Sequence, residues 1–310
     1  MSGDTPRLTI GLPVYNGARY LRGALDSLLS QTMADFELIV SDNASNDDTP
    51  AICREYAERD ERIRVFRNER NVGAAGNFNL VLELARAPFF KWAAYDDLCA
   101  PEFLDRCVSE LDRDPDLILA YPRTGMIDAA GEPIGLYADD LDLRAVDRVA
   151  RYRDYHARFR RMGLVNVLYG VIRTDVLRLT PGIAPYANSD VVLIGELALR
   201  GRFGEVPETL FLRRDHPMMT VRAFPSVRNR AEYLDPARSK AKDHPYLRMV
   251  REHFRAVQRV PMAWHERVRA YLLIGQFIAS HALEYAGDRV PRRHQERSIA
   301  DAPPTSSGSE

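Results

Sequence analysis

Apolar and polar positions alternate in a regular way over the first third of the chain. A short apolar run is followed by a polar loop and then by apolar residues spaced three and four apart, and this unit repeats. The runs predict strands, and the spacing predicts helices with one buried face. Because parallel neighbours need crossover connections, four such units in succession predict an α/β fold with a mostly parallel central sheet flanked by helices. The predicted strands are residues 8–12, 36–40, 63–66 and 89–94.

The pattern is less regular after a fifth predicted strand at residues 117–121. Residues 139–161 are heavily charged and predict a loop followed by an exposed helix. Apolar residues return at 165–172, which predict a strand, and at 191–199, which predict a helix that Gly201 ends. This part of the chain therefore combines short strands with helices and shows no internal repeat.

Helices dominate the predicted structure beyond residue 220, after two short strands predicted within 203–214. One helix has an apolar side that needs a partner, which the core, a second subunit or a membrane surface could supply. That side consists of Tyr271, Leu272, Ile274, Phe277, Ile278 and Leu283. We prefer the core or a homodimer formed through these helices. A membrane face is suggested by four arginines, Arg248, Arg251, Arg255 and Arg259, but a dense basic face is missing.

These patterns divide the chain into three regions. We expect a folded domain at residues 1–220, a helical appendage at 221–291 and a disordered tail at 292–310, where Arg, Pro, Ser and Gly are enriched. Within the domain, residues from about 7 to 122 form a first half and residues from about 123 to 220 form a second half.

Composition excludes several classes of protein. Lys and Arg number 43 against 44 Asp and Glu among 310 residues, so net charge gives no reason to expect a nucleic-acid partner. No apolar run reaches the length of a membrane span, and none follows basic residues at the start, so we expect neither a transmembrane segment nor a cleaved signal. The three cysteines lack metal-ligand spacing, which favours a reducing, cytoplasmic location. Peripheral contact with a membrane stays open.

Two adjacent carboxylates, Asp96 and Asp97, follow the fourth predicted strand and precede a predicted helix at 103–111. Ligands of open α/β sheets bind at the carboxyl ends of the strands, where this pair lies. Carboxylate oxygens suit Mg²⁺ or Mn²⁺, which such sites hold together with substrate phosphates. On its own, however, the pair is more typical of a helix-capping Asp beside a solvated one.

Four motifs carry a resemblance to a known family. They are Pro13-Val14-Tyr15-Asn16, Ser41-Asp42-Asn43-Ala44-Ser45, Asn71-Val72-Gly73 with Asn77, and Tyr95-Asp96-Asp97 with Pro101. In this order and spacing the chain resembles the family-2 glycosyltransferases of the GT-A fold, and the likeness extends over about residues 7–220. The resemblance implies an inverting, hexosyltransferase-like enzyme. It would move a sugar from a nucleoside-diphosphate donor, with a UDP-sugar as the leading candidate, to an acceptor hydroxyl.

The resemblance assigns donor binding to the ends of the first strands. The first motif would line the nucleotide, and Asp42 would accept a hydrogen bond from the base. A carboxylate matches the imide N–H of uracil or thymine and equally the N1–H of guanine, so the base stays open. Asn71 and Asn77 would join this donor site, although a loop cap and a helix-surface residue are equally good interpretations of these two.

The implied ligands of a divalent metal are Asp96, Asp97 and His216, with Asp96 also in contact with the donor. Many relatives carry Asp-X-Asp at this point, whereas Ala94 stands at the first acidic position. With fewer carboxylates the diphosphate has to supply more of the coordination, so we expect weak metal binding before the nucleotide is bound. For His216, contact with the diphosphate and a plain surface position are the alternatives.

Asp190 is the implied general base, which takes the proton of the acceptor hydroxyl as that oxygen attacks the anomeric carbon. Asn188-Ser189-Asp190 is also typical of a helix cap, and a cap is compatible with catalysis at the same loop. The acceptor would be a carbohydrate or another hydroxyl-bearing molecule, and the sequence carries no code that identifies it.

Two other functions compete with this interpretation. A catalytically inactive nucleotide-binding partner protein gains weight from Ala94, but such a protein has no need of Asp190. A sugar nucleotidyltransferase would bring a Gly-rich, basic phosphate loop near the first strand, and residues 13–17 do not form one.

Overall fold

The structure, a computed structural model, describes residues 5–137, 140–159, 166–224, 227–236 and 245–285. Its strands are β1 (Leu8–Val14), β2 (Phe36–Asp42), β3 (Ile63–Arg67), β4 (Phe89–Trp92), β5 (Leu98–Cys99), β6 (Leu117–Ile127), β7 (Pro133–Tyr137), β8 (Val171–Arg173) and β9 (Arg202–Arg214). Its helices are α1 (Ala18–Leu29), α2 (Thr49–Arg59), α3 (Gly73–Glu83), α4 (Phe103–Arg113), α5 (Arg148–Phe159), α6 (Thr174–Arg178), α7 (Ser189–Arg200), α8 (Thr220–Ala223), α9 (Val227–Leu234), α10 (Pro245–Arg259) and α11 (Trp264–Tyr285).

The described strands form one sheet with the order β3-β2-β1-β4-β8-β6-β9-β5, and β7 pairs with β6. Among them, β1 to β4, β6 and β9 run in the same direction, whereas β5, β7 and β8 are reversed. The predicted α/β fold with a mostly parallel sheet flanked by helices is therefore confirmed.

The inner strands of the first half of the sheet are buried because helices pack on both of its faces, whereas the edge strand β3 is partly exposed. Every residue of β1 and β2 is buried, and the two strands pair in parallel from Leu8 opposite Phe36 to Val14 opposite Asp42. On its other edge β1 pairs in parallel with β4. Both β1 and β2 extend past their predicted ends, and β4 ends at Trp92. The carboxyl ends of these three strands consequently lie side by side.

The second half departs from the predicted elements in two places. Residues 203–214, predicted as two strands, belong to the single strand β9; the exposed residues 207–209 interrupt its buried pattern, and the register with β6 shifts there. The described part of the strand predicted at 165–172 is mostly a 3₁₀ turn. In this turn the Tyr169 carbonyl accepts a hydrogen bond from the buried Lys91 ammonium instead of joining the ladder.

Helix α5, predicted to be exposed, has a buried inner face. Tyr152 and Tyr155 are fully buried on that face, and the Tyr155 hydroxyl donates to the Val191 carbonyl of α7 at 2.6 Å. The prediction was wrong on this side because exposed charged residues such as Arg153 dominate the sequence pattern and hide the two tyrosines.

The C-terminal helices α10 and α11 pack on the core. Ile274 and Phe277 of α11 are buried, the first beside Tyr152 and the second beside Val192 of α7. The core thus supplies a partner for part of the apolar side of α11, whereas Leu272 is 63% exposed. The tail predicted at 292–310 lies outside the described residues. No helix in the described ranges has both the length and the apolar content needed to cross a membrane.

Candidate active site

Hydrogen bonds join the loops that follow β1 and β2. The Asn43 N–H donates to the Val14 carbonyl at 2.8 Å, and the Asn16 N–H donates to Ser45 Oγ at 2.9 Å. Asn16 and Ala44 have φ angles of 51° and 60°. These values are left-handed, and residues other than glycine adopt them uncommonly, where neighbouring contacts stabilise the backbone. The two loops therefore form one continuous, well-fixed edge of the site.

The first motif brings the acidic pair close to this edge. Pro13 and Val14 are buried within β1, and Tyr15 is 40% exposed where β1 ends. A side chain at Gly17 would meet Val14 Cγ2 at 2.6 Å and Tyr95 Cδ2 at 2.7 Å, so only glycine fits there. This close approach places the ring of Tyr95, the residue before the two carboxylates, directly against the first loop.

Asp42, the last residue of β2, is 1% exposed. Its Oδ1 accepts a hydrogen bond from the Ser45 N–H at 3.0 Å. Arg67 Nε lies 3.2 Å from Oδ2 and forms an ion pair with it, yet Oδ2 has no hydrogen-bond partner within the described part of the chain. Buried acceptors are normally hydrogen-bonded. The free capacity of Oδ2 fits the predicted role of Asp42 as the acceptor for an N–H of the base.

Asn71 and Asn77 hold the Asp42 loop in place. Asn71 Oδ1 accepts a hydrogen bond from Asn43 Nδ2 at 2.9 Å. Asn77 is 2% exposed, and its Nδ2 donates to the Ser41 carbonyl at 2.9 Å. Both amides thus position residues on either side of Asp42, and direct contact with a donor stays a prediction for them.

Helix α9 covers the start of α3. Gly73 opens α3 with a φ of 81°, and a side chain on it would clash with the Leu234 carbonyl oxygen of α9. Burial, followed by the charge of Asp96 and then by Tyr233 of α9, raises the pKa of the Tyr95 phenol. The C-terminal region therefore contributes part of the wall of the site.

Asp96 and His216 meet at the strand ends. His216 Nε2 lies 2.9 Å from Asp96 Oδ2, and His216 is 2% exposed with its ring centre 4.7 Å from that of Tyr20. Two ligands at right angles in an octahedral shell are about 3 Å apart when each lies about 2.1 Å from the ion. The two atoms are therefore spaced like neighbouring ligands of one Mg²⁺ or Mn²⁺. The described residues contain no group of three such side chains, so water and phosphate oxygens would complete the shell.

Asp97 has different surroundings from its neighbour. Its Oδ1 accepts the Arg214 N–H at 2.8 Å, and Arg214 Nε donates to the Asp96 carbonyl at 2.9 Å. Burial and, next, the charge of Asp96 raise the pKa of the Asp97 carboxyl well above its usual range, while Arg213 opposes the shift. The structure thus brings Asp96 and His216 together and binds Asp97 to the backbone of β9, and a role for Asp97 as a metal ligand stays a prediction.

Asp190 lies in the first turn of α7, after Asn188, whose φ of 65° is left-handed. Its Oδ1 accepts the Val191 N–H at 2.9 Å. Burial raises the pKa of Asp190, although this hydrogen bond and the charges of Arg230 and Arg213 act in the opposite direction. A carboxylate with a raised pKa is a better proton acceptor than an ordinary one, as general base catalysis requires.

Arg213 is a site residue that the sequence reasoning missed. Burial alone would lower the pKa of its guanidinium, but the charges of Asp97 and Asp96 help to raise it overall. The same cation also acts on Asp190, so Arg213 is within electrostatic reach of both the acidic pair and the candidate base. The available signal was its position at the end of a strand, three residues before His216.

These groups gather towards the carboxyl ends of the parallel strands, an arrangement typical of α/β proteins that bind a nucleotide. The comparison with known families agrees with this class. The sequence model of Glycosyl transferase family 2 matches residues 9–164, half of the chain, and the chain belongs to this family.

Among curated relatives, the chain is similar to an uncharacterized glycosyltransferase of Methanocaldococcus jannaschii. The two are 30% identical over 130 residues, which cover 41% of this chain and 45% of the relative. The match therefore spans less than half the length of that relative.

Two solved structures show the likeness in fold. S. aureus TarS 1-349 in complex with UDP-GlcNAc has a TM-score of 0.63 at 16% identity, covering 89% of this chain and 72% of that chain. The mannosyltransferase PcManGT from Pyrobaculum calidifontis, in complex with GDP-Man and Mn²⁺, has a TM-score of 0.50 at 17% identity, covering 91% and 76%. The likeness confirms the predicted GT-A type of fold with its C-terminal helices.

Proposed function

We propose that the protein is an inverting glycosyltransferase that moves a sugar from a nucleoside-diphosphate donor to a hydroxyl of an acceptor. The observation that supports this most strongly is the contact of Asp96 with His216, which are 120 residues apart in sequence and 2.9 Å apart in space. The unsatisfied oxygen of Asp42 supports base binding at the same sheet edge. Membership of Glycosyl transferase family 2 supports transfer as the reaction.

In the proposed mechanism Asp42 binds the base, and the donor diphosphate extends towards Asp96 and His216. These two residues would hold a divalent ion, Mn²⁺ or Mg²⁺, which when bound neutralises charge on the departing diphosphate. Asp190 accepts the proton of the acceptor hydroxyl, whose oxygen forms a bond to the anomeric carbon. The bond from that carbon to the diphosphate oxygen breaks, and the electron pair leaves with the nucleoside diphosphate. Attack from the opposite face inverts the configuration.

We propose a UDP-sugar as the donor. TarS was solved with UDP-GlcNAc, whereas PcManGT was solved with GDP-Man and Mn²⁺. A carboxylate accepts the N–H of uracil and of guanine equally well, so Asp42 admits either base. The acceptor is a carbohydrate or another molecule with a free hydroxyl group.

A thermal-shift panel of UDP, dTDP and GDP and their sugars, with and without Mn²⁺, tests the proposal. A ligand that binds only the folded state raises its stability by about 2.7 kcal/mol at a hundred times Kd. We expect the nucleotides that carry one of the three bases to raise the melting temperature strongly, and only when Mn²⁺ is present. Asp42→Asn should weaken that response, whereas Asp48→Asn, at an exposed position in the same loop, should preserve it.

The same panel separates the proposal from its rivals. Slow release of nucleoside diphosphate from the bound sugar nucleotide is expected of a transferase whose acceptor is replaced by water. Binding without any release or transfer would indicate an inactive nucleotide-binding protein. If no nucleotide in the panel changes the melting temperature, the proposed function is wrong.

Three further predictions concern the setting of the protein, namely a cytoplasmic location, a homodimer formed through the C-terminal helices and peripheral contact with a membrane. Trp264, Val268 and Leu272 are exposed at four-residue spacing along one side of α11. Light scattering and sedimentation with liposomes are the measurements that decide between the last two.

A further inference from the structure

A cavity of about 80 Å³ lies between α7 and α10, at the end of α7 that carries the candidate base. Its lining includes Tyr186 in the loop before α7, Ser189 at the start of α7 and Arg248 of α10. Ser189 directly precedes Asp190 in the chain. One water needs roughly 15 Å³ of such space, so the cavity has room for a small group of a bound molecule.

The carboxylates of this cavity already have strong partners. Glu196 is fully buried, and its Oε1 accepts a hydrogen bond from Arg200 Nη2 at 2.7 Å while its Oε2 accepts one from Arg259 Nη2 at 2.7 Å. Glu252 Oε1 accepts a hydrogen bond from Arg255 Nη1 at 2.6 Å. Three guanidiniums therefore neutralise these two carboxylates without any contribution from Arg248.

Arg248 adds a cation whose hydrogen-bonding capacity is not used. Its Cζ lies 5.0 Å from the centre of the Tyr186 ring, so the guanidinium rests on that ring. Its Nε is buried and has no hydrogen-bond partner in the ranges that the structure describes. A buried donor without a partner is uncommon and costly. An anionic oxygen of a ligand would satisfy the donor and balance the charge.

Tyr186 connects the cavity to the candidate base, because its carbonyl accepts a hydrogen bond from the N–H of Ser189 at 3.3 Å and Asp190 is the next residue. Burial raises the pKa of the Tyr186 phenol most, and the charges of Glu252, Arg248 and Asp190 also act on it. A molecule whose hydroxyl is presented to Asp190 could therefore place a neighbouring group against Arg248.

We propose that this cavity is an acceptor subsite for an anionic oxygen group, either a phosphate or a carboxylate, and that Arg248 selects acceptors that carry one. The inference rests on the proposed function, because it places the acceptor hydroxyl at Asp190. The substrate class is an acidic, hydroxyl-bearing acceptor. A neutral acceptor leaves Arg248 without a partner and binds less well.

Calorimetric titration with three small probes tests the subsite. Glycerol 3-phosphate carries a phosphate, glucuronate carries a carboxylate and glucose carries neither group. The protein is first saturated with UDP and Mn²⁺, so that the diphosphate site is filled. We expect one acidic probe to bind at least tenfold more tightly than glucose, and the tighter of the two identifies the source of the anion.

Two variants and a matched control show whether Arg248 is responsible. Arg248→Gln should lower the affinity for the acidic probe by about tenfold or more, and Arg248→Lys, which keeps the charge without Nε, should lower it less. Arg251→Gln changes an exposed arginine of the same helix and should have no effect. UDP affinity and melting temperature establish that each variant is folded.

Each outcome bears on one claim. Equal affinity for the three probes, or unchanged affinity in a folded Arg248→Gln variant, overturns the subsite while leaving donor binding intact. If UDP does not bind, the proposed function fails, and the probes are then titrated against the free protein. If the free protein prefers an acidic probe and that preference depends on Arg248, the anion site is supported without the proposed function. If the free protein shows no such preference, the anion site is wrong too.

Discussion

The two halves of the candidate site are held by different kinds of interaction. Around Asp42 one ion pair, with Arg67, stands among hydrogen bonds between neutral groups of nearby loops, such as the one from Asn43 to Asn71 at 2.9 Å. The helix that carries Asp190 is held by ion pairs that reach far along the chain. Glu196, on the same helix as Asp190, binds Arg259, which is 63 residues further on.

Because of this difference, we expect donor binding and sugar transfer to respond to substitutions in different parts of the molecule. The base-binding edge is held by strands and loops of the first half, with α9 covering one side of it, so donor affinity should depend little on the ion pairs between α7 and α10. The helix that carries the base is fixed by residues of α10, so changes there should affect transfer and stability. Variants that damage one half and spare the other test this separation.

The largest expected effect is on transfer in Asp190→Asn. Asparagine keeps the size of the side chain and much of its capping ability, but it cannot take the acceptor proton. Loss of a general base typically lowers turnover by about 10² to 10⁴, which corresponds to roughly 3 to 5 kcal/mol of transition-state stabilisation. Donor affinity should stay within a few-fold. Turnover and donor titration are measured on the same preparation.

Asp175→Asn is the matched control for this variant. Asp175 lies in the first turn of α6, and its Oδ1 accepts the N–H of the following Val176 at 2.8 Å, the same local contact that Asp190 makes with Val191. This control should transfer at the rate of the unmodified protein. Full activity in Asp190→Asn, or an equal loss in both variants, would contradict the assignment of Asp190 as the base.

A second large effect is expected on stability in Glu196→Gln. The change leaves the buried Arg200 and the partly buried Arg259 without their shared carboxylate. Removing one partner from a buried ionic network typically costs about 3 to 5 kcal/mol. Urea unfolding should therefore show a lower free energy of unfolding, while UDP affinity of the folded protein stays close to its original value.

Glu55→Gln provides the corresponding surface control. Glu55 also lies between two arginines, Arg22 at 2.6 Å and Arg59 at 2.7 Å, but the pairs are exposed to solvent. Exposed pairs contribute little to stability. A loss in Glu55→Gln as great as that in Glu196→Gln would contradict the importance of burial in the acceptor half.

A smaller effect is expected on stability when the pH is lowered, and it arises from His253 of α10. Burial lowers the pKa of His253 to about 3, and its Nδ1 lies 3.2 Å from the Tyr152 hydroxyl of α5. Below the unfolded pKa of about 6.5 the unfolded chain binds a proton that the folded protein does not, so this residue makes the fold less stable as pH falls. At pH 5, protonation of this histidine in the unfolded chain lowers the free energy of unfolding by about 2 kcal/mol.

Comparing the pH dependence of stability between variants isolates the contribution of His253. Asp97 has a raised pKa, which makes the fold more stable as pH falls over part of the same range, so only differences between variants are informative. His253→Asn should be less sensitive to pH between 6.5 and 5 than the unmodified protein. His265→Gln, at an exposed position at the start of α11, should not differ from it. Identical pH profiles for all three proteins would contradict the role of His253.

The same contrast explains how much of the structure the sequence predicted. Strands β1, β2 and β4 are predictable because they are buried on both faces, and burial on both faces produces the continuous apolar runs from which strands are recognised. The acidic pair is predictable because it follows such a run. Its partner His216 lies 120 residues from Asp96 in the sequence, so no local pattern connects the two. Only the family resemblance suggested His216.

The acceptor half was less predictable because its contacts form between distant charged residues. Arginines 248, 251, 255 and 259 have the spacing of a solvated helix face, yet Arg248 and Arg259 line the cavity beside α7. Likewise the buried Tyr152 and Tyr155 are hidden in a helix whose charged residues dominate the pattern. Charge in a sequence does not show whether a partner lies elsewhere in the chain.

The most direct test of the central claim is a calorimetric titration of UDP with and without Mn²⁺ in Asp96→Asn and His216→Gln, beside Asp105→Asn as a control on the surface of α4. Asp96 and His216 should act together, so that either substitution reduces the Mn²⁺-dependent gain in UDP affinity by at least about tenfold, while the control keeps it. A Mn²⁺-dependent gain that survives both substitutions would contradict the account, because the contact between these residues would then have no part in holding the donor.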